Sequence, residues 1–109
     1  MSEGVFCKKG VVIMKMFLVI YAEASDESII DAFKSAGFKS YTKIQGATGE
    51  GEESEPKLGT HCWPGKNNTL YIAVHDEDVQ HIYDLIRKLK VEHPRACLRA
   101  FTFPIEECI

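Results

Sequence analysis

Hydrophobic residues in the first half of the chain form an unbroken run and then a stripe at helical spacing. The run Met16–Ala22 is rich in strand-forming residues, which predicts a central strand buried on both faces. The stripe predicts an amphipathic helix that ends at Gly37, and its members are Ile29, Ile30, Phe33 and Ala36. Ser25 or Asp26 is suited to cap this helix, because either side chain can accept a hydrogen bond from a free backbone N–H.

The second half of the chain shows the same kinds of pattern. Phe38–Gln45 and Leu70–Val74 predict two further strands, the second more clearly apolar than the first. Asp76 is the expected cap of a second helix that ends before Pro94. The apolar stripe of that helix is regular and consists of Val79, Ile82, Tyr83, Ile86 and Leu89. A final strand is predicted over Cys97–Phe103.

The order strand–helix–strand–strand–helix–strand predicts an α+β fold, the ferredoxin-like βαββαβ sandwich. In this fold both helices cover one face of a four-stranded antiparallel sheet, and the first and third strands are central. If the other face carries Phe17, Tyr71 or Phe101, it must also be buried, so we expect self-association. The domain is predicted to occupy residues 14–109, after a flexible leader at residues 1–13.

Composition and charge narrow the possible functions. A chain of 109 residues is long enough for one domain, and its net charge of -3 argues against nucleic acid as a partner. No apolar run approaches the length of a membrane span. The cysteines are widely spaced without a C-x-x-C pair, which predicts reduced thiols in a cytoplasmic protein. They are Cys7, Cys62, Cys97 and Cys108.

A polar loop rich in glycine and glutamate separates the two middle strands. Its glycines can let backbone N–H groups approach an anion, although a flexible loop explains them about as well; they are Gly46, Gly49 and Gly51. Its acidic run is either a solvated surface or a docking patch for a basic partner, and includes Glu50, Glu52 and Glu53. The compact turn that follows can cover the core, form a subunit seam or stack on a ligand, and contains Trp63, Pro64, Gly65 and Asn67.

Catalytic motifs are absent from the sequence. There is no G-x-S-x-G elbow, no G-x-x-x-x-G-K-[ST] phosphate loop and no convergent acid–base pair, so we expect a protein that is not an enzyme. His61 and Cys62 are candidate metal ligands. Adjacent residues usually point apart, so they would need help from another chain to hold one ion.

Four segments form a recognisable series in their order and spacing: Ala36-Gly37-Phe38, Thr42, Gly49-Glu50-Gly51 and Arg99-Ala-Phe-Thr-Phe-Pro-Ile-Glu106. Together they resemble the P-II nitrogen-regulatory signalling family and its P-II-like relatives. The family's A-G-[IF] step is similar to Ala36-Gly37-Phe38, and the threonine five residues after that glycine corresponds to Thr42. The G-x-G at the root of the family's long loop resembles Gly49-Glu50-Gly51, with one residue of slippage. The family's last strand is similar to Arg99-Ala-Phe-Thr-Phe-Pro-Ile-Glu106, whereas Glu92-His-Pro-Arg-Ala-Cys97 stands where its second glycine-rich loop is expected.

The resemblance implies a homotrimer with inward-facing sheets, adenine nucleotide in the clefts between subunits, and loops that control a partner such as a membrane transporter. Thr42 then lies where the family contacts the nucleotide base, and Gly49 and Gly51 lie beside the phosphates. Arg99 replaces a phosphate-contacting lysine, and its fixed charge can serve the same role.

The leading hypothesis is a trimeric P-II-like sensor of a small anionic effector, bound near Thr42, residues 46–51 and Arg99. The alternative is a trimer similar to CutA proteins, which share the architecture and are linked to divalent metals, with His61 and Cys62 as ligands. A purely structural assembly domain is the third hypothesis.

Overall fold

The computed structural model describes residues 14–48 and 66–109, which form one four-stranded antiparallel sheet and two helices. The elements in chain order are β1 (Met14–Ala22), α1 (Asp26–Ser35), β2 (Thr42–Thr48), β3 (Lys66–His75), α2 (Val79–Glu92) and β4 (Arg99–Pro104). The strand order is β2-β3-β1-β4, so β1 and β3 are central and β2 and β4 are the edges. This is the predicted ferredoxin-like α+β architecture.

Both helices pack on one face of the sheet. Alternate residues of the central strands are buried there, as a period of two requires; they are Phe17, Val19 and Tyr21 in β1, and Asn68, Leu70, Ile72 and Val74 in β3. The two helical stripes meet this face as predicted, with Ile29, Ile30 and Phe33 buried in α1 and Ile82, Ile86 and Leu89 in α2. The core is therefore a single layer between the sheet and the helices.

The ends of both helices are as predicted, and Ser25 is the N-cap residue of α1, whereas α2 begins at Val79 rather than directly after Asp76. Gly37 takes a φ of +99°, and the Phe38 N–H donates to the Phe33 carbonyl at 2.9 Å, which closes the last turn. Neither helix has a side-chain cap hydrogen bond, so the capping role predicted for Ser25 or Asp26, and for Asp76, was wrong. A short 3-10 turn precedes each helix, and the two carboxylates bind Tyr21, Lys15 and other side chains instead.

Two strand predictions were displaced along the chain. β2 begins at Thr42 rather than Phe38, because Phe38 packs edge-on against the Phe33 ring at a centroid distance of 6.3 Å. β4 begins at Arg99 rather than Cys97, since Cys97 takes a left-handed conformation with φ 51°. In both cases apolar residues that resemble strand in the sequence belong to the connections between elements.

The sheet face away from the helices is apolar and open in the single chain. It carries the large exposed side chains Ile44, Tyr71, Phe101 and Phe103, which are 39–49% accessible. Tyr71 pairs with Leu18, and Leu18 pairs with Phe101, so one row of this face crosses β3, β1 and β4. Tyr71 and Phe101 therefore lie on the face where exposure was expected, whereas Phe17 is fully buried under α2 against Tyr83.

The sulfur chemistry differs from the prediction. Cys97 and Cys108 are both disulfide-bonded, so they are not the reduced thiols that their wide spacing indicated. The other two cysteines, the leader at residues 1–13 and most of the long loop lie outside the described residues. Within the described ranges, neither helix has the length and apolar character that crossing a membrane requires.

Candidate functional site

A β-bulge interrupts the pairing of β2 with β3 where these strands lead into the long loop. Ile44 pairs with Thr69, and Ala47 pairs with Asn67. Gln45 and Gly46 of β2 therefore lie opposite a single residue of β3, Asn68. Gly46 has a φ of +69°, a left-handed conformation that glycine adopts without the steric cost of a side chain. A bulge of this kind bends an edge strand and changes the direction in which it leaves the sheet.

Asn68 holds the bulge from the neighbouring strand. Its side chain is completely buried, and its Oδ1 accepts a hydrogen bond from the Gly46 backbone N–H at 3.2 Å. Its Nδ2 donates to Asp26 Oδ1 at 2.9 Å. Since a buried amide is costly without partners, these two bonds fix the side chain and, through it, the position of Gly46.

Asp26, the first residue of α1, is the centre of this network. Its Oδ1 also accepts from the Tyr21 hydroxyl at 2.6 Å, and its Oδ2 accepts from Lys43 Nζ at 3.0 Å. The carboxylate therefore joins α1 to β1, β2 and β3. We call these four side chains and Gly46 the Asp26 network, which consists of Tyr21, Asp26, Lys43, Gly46 and Asn68.

The ionisation of the Asp26 network follows from these contacts. Burial would raise the pKa of Asp26, but the hydrogen bonds from Tyr21, Lys43 and Asn68 stabilise the carboxylate and bring its pKa below the ordinary 3.8. Burial and the adjacent carboxylate raise the pKa of Tyr21 well above the ordinary 10.0. Asp26 is thus a charged acceptor and Tyr21 a neutral donor at neutral pH.

The predicted ligand residues lie on opposite edges of the sheet. Thr42 and Gly46 are on β2, and Arg99 is on β4. The strand order separates these edges by three strand spacings, roughly 14 Å. A single chain therefore does not bring Thr42 and Arg99 together. Gly49 and Gly51 lie outside the described residues.

A half-open cavity of about 230 Å³ lies beside the start of β2, between the linker after α1, the end of β3 and the first turn of α2. Its polar lining residues are Lys39, Ser40, His75, Asp78 and His81. The cavity and the bulge lie at opposite ends of β2, with Thr42 between them.

Most of the predicted partner and metal residues cannot be placed, because Glu50, Glu52, Glu53, Trp63, Pro64 and Gly65 lie outside the described residues, as do His61 and Cys62. Asn67 is part of β3, where it pairs with Ala22 and Ala47 rather than forming a turn. No group of three or more potential ligands suited to a metal ion occurs in residues 14–48 and 66–109.

Sequence reasoning missed the Asp26 network. One signal was present: Asn68 occupies the position in β3 that continues the buried alternation of Leu70, Ile72 and Val74. A polar residue at a buried strand position requires partners. Their identity was not apparent, because Tyr21, Asp26 and Lys43 come from three other elements.

The described structure is a ferredoxin-like domain with a bulged loop root, an open apolar sheet face and candidate ligand residues on both edges. The family Nitrogen regulatory protein P-II matches residues 14–109. The chain therefore belongs to this family, as a divergent P-II-like member. It is 32% identical over 75 residues, 68% of the chain and 70% of its relative, to Nitrogen fixation nifHD region GlnB-like protein 1 of Methanothermococcus thermolithotrophicus.

Solved structures confirm the fold. One is CPII, a nitrogen regulatory PII-like protein from Thiomonas intermedia K12 bound to ADP, AMP and bicarbonate. It matches with a TM-score of 0.63 and 21% identity over 84% of this chain and 89% of that chain. A functionally unknown protein from Pediococcus pentosaceus ATCC 25745 has a TM-score of 0.63 and 16% identity over 91% and 98% of the two chains.

Proposed function

We propose that this protein is a trimeric, non-catalytic P-II-like sensor. It binds a small anionic effector, with an adenine nucleotide as the first candidate, in clefts between subunits. Effector binding changes the loop that joins β2 to β3, and that loop reports to a partner such as a membrane transporter. Family membership supports a regulatory role, and the ADP and AMP bound to the Thiomonas protein support the choice of ligand class.

The main structural support for this proposal is that Thr42 and Gly46 lie far from Arg99 in a single chain, so one site can contain them only if it forms between two copies. These residues lie on the two edge strands, β2 and β4, of the same sheet. If identical copies associate head to tail in a closed ring, the β2 edge of each copy meets the β4 edge of the next. Each cleft then combines the Thr42 and Gly46 of one copy with an arginine from its neighbour.

The open face of the sheet supports the same assembly. Ile44, Tyr71, Phe101 and Phe103 are exposed in the single chain, and a contiguous apolar surface of this kind is typical of an interface. Each of these side chains is 39–49% accessible, so burying the remainder favours association by roughly half of the 1.5–3 kcal/mol that full burial of a large apolar side chain contributes. A ring with inward-facing sheets buries this face and forms the edge clefts in one step.

Titration calorimetry with AMP, ADP, ATP and cyclic AMP tests effector binding. We expect at least one of these nucleotides to bind the wild-type protein. Arg99→Ala should weaken binding by roughly tenfold or more, because it removes a charge-assisted contact worth about 1.5–3 kcal/mol. Arg87→Ala is the matched control, since Arg87 lies on α2 beside Asp84 and Tyr83, on the helix side of the domain.

Three results of this titration would count against the proposal. Failure of all four nucleotides to bind would remove nucleotide sensing. Equal affinity of wild type and Arg99→Ala would remove β4 from the site. Loss of affinity in Arg87→Ala as large as in Arg99→Ala would show a general effect of positive charge rather than a contact in the cleft.

A further inference from the structure

We propose that Asp26 and Asn68 are positioning residues for the effector site, and that they act by fixing the Gly46 bulge at the root of the loop. The ligand part of this inference rests on the proposed function, whereas the structural part does not. Neither residue belongs to the sequence motifs on which the family resemblance rests.

The Asp26 network contains more contacts than the attachment of α1 to the sheet requires. One carboxylate accepts hydrogen bonds from β1, β2 and β3, although any one of them would attach α1 to the sheet. The chain of contacts continues beyond the helix, from Asp26 through Asn68 to the backbone N–H of Gly46. It ends at the residue whose left-handed conformation creates the bulge.

The energetics also favour a role in specifying geometry. A buried polar network is seldom more stabilising than apolar packing of the same volume, and its best-supported use is to select one arrangement. Asn68 stands at a fully buried position of β3, next to the buried Leu70 on the same face of the strand. Leucine or valine would suit that position for packing alone, but neither could accept a hydrogen bond from Gly46.

The consequence concerns the direction of the loop. Gly46 is two residues from the end of the described part of β2, and the bulge determines how the chain leaves the sheet there. Loosening the hydrogen bond between Gly46 and Asn68 would let β2 leave the sheet in several directions. The backbone of Gly46, a candidate ligand residue of the effector site, would then be held in the binding position in fewer of the molecules.

Hydrogen exchange at the Gly46 amide, measured by NMR in the ligand-free protein, tests the structural part. In Asn68→Ala we expect exchange at this amide to accelerate roughly tenfold more than exchange at the Ile72 amide in the middle of β3, which reports on the stability of the whole fold. Unchanged exchange at Gly46 would overturn the inference. Equal acceleration at Ile72 would overturn it too, since Asn68 would then only stabilise the whole fold.

Calorimetry with the best-bound nucleotide tests the ligand part. We expect Asn68→Ala to weaken binding severalfold, with Asp26→Asn changing it in the same direction. Unchanged affinity in a variant whose Gly46 amide exchanges faster would overturn the positioning role. If wild type binds none of the nucleotides, the proposed function fails, and the exchange at Gly46 alone decides whether the network fixes the bulge.

A milder variant covers the case in which Asn68→Ala does not fold. Tyr21→Phe removes only the hydroxyl that donates to Asp26, and we expect roughly threefold faster exchange at Gly46. Tyr83→Phe is its matched control, because the Tyr83 hydroxyl bonds to Thr102 on β4, away from the bulge. A change at Gly46 in Tyr83→Phe as large as in Tyr21→Phe would overturn the inference.

Discussion

At the scale of single residues, the molecule places one carboxylate where three donors converge. Asp26 is only 28% exposed at its side chain, and Lys43, its ion-pair partner, is 26% exposed. A partly buried charge needs such partners, because its desolvation would otherwise exceed the gain from a single contact. Tyr21 and Asn68 supply the remaining hydrogen bonds, so the carboxylate stays ionised despite its burial.

The lowered pKa of Asp26 predicts a specific dependence of stability on pH. A carboxyl group whose pKa is lowered by folding stabilises the fold fully above its unfolded-state pKa of 3.8 and loses this effect as pH falls through the folded-state value. Urea denaturation should show wild type about 1–3 kcal/mol more stable than Asp26→Asn at neutral pH. The difference should shrink as the solution is made more acidic than pH 3.8.

Asp31→Asn is the control for this prediction, because Asp31 is exposed on the same helix. We expect its stability to follow that of wild type at every pH. A difference between wild type and Asp26→Asn that does not change with pH would show that the charge of Asp26 is not what stabilises the network.

The sequence analysis selected Asp26 as an important residue but assigned it the wrong role. Asp26 was one of the two predicted caps of α1, with Ser25, because that prediction uses only neighbouring residues. Its partners Lys43 and Asn68 are 17 and 42 residues away along the chain. Such contacts depend on the packing of four elements, so local sequence patterns do not predict them.

At the scale of elements, β2 is shaped by its bulge. An edge strand that pairs regularly along its whole length presents free backbone groups to any neighbouring strand. The extra residue in β2 at Gln45–Gly46 breaks that regularity where the strand enters the loop. The bulge, and with it the course of β2, therefore requires the left-handed φ of Gly46.

Replacing Gly46 with a β-branched residue should destabilise the domain. Gly46→Val places a side chain at a φ of +69°, which costs about 1–2 kcal/mol for a residue other than glycine. Among the described residues, no atom lies within 4 Å of the position that a Cβ would take, so the cost is conformational and not a clash with them. The free energy of unfolding, measured with urea, should fall by this amount.

Thr48→Val provides the comparison, since Thr48 is an exposed residue of the same strand and has no positive φ. We expect its stability to change by less than about 0.5 kcal/mol. If Gly46→Val is as stable as Thr48→Val, the bulge does not have the left-handed geometry described.

The elements differed in how well the sequence predicted them. Both helices were correctly placed because a stripe at helical spacing, as in Ile82, Ile86 and Leu89, is a local signal. The start of β2 was wrong because Phe38 looks like a strand residue but packs on Phe33. The bulge could not be predicted, since it depends on the register between β2 and β3.

At the scale of the whole molecule, the two faces of the sheet have different partners. The helices cover one face, and Phe17 lies there with no exposed surface. The other face exposes Phe101 and Phe103, and the candidate ligand residues lie at its two edges. The order of elements predicted this arrangement, because two crossovers of the same hand leave both helices on one side. The proposed function requires other copies of the chain to cover the open face.

Other copies of the chain are proposed to cover this face, and sedimentation equilibrium measures whether they do. Wild type should sediment at three times the chain mass of 12.3 kDa. Phe101→Lys should shift the mass toward 12.3 kDa by placing a charge in the interface, while Val91→Lys, on the exposed side of α2, should remain trimeric. A wild-type protein that sediments as a stable 12.3 kDa monomer would contradict the account, because the clefts between subunits would not exist.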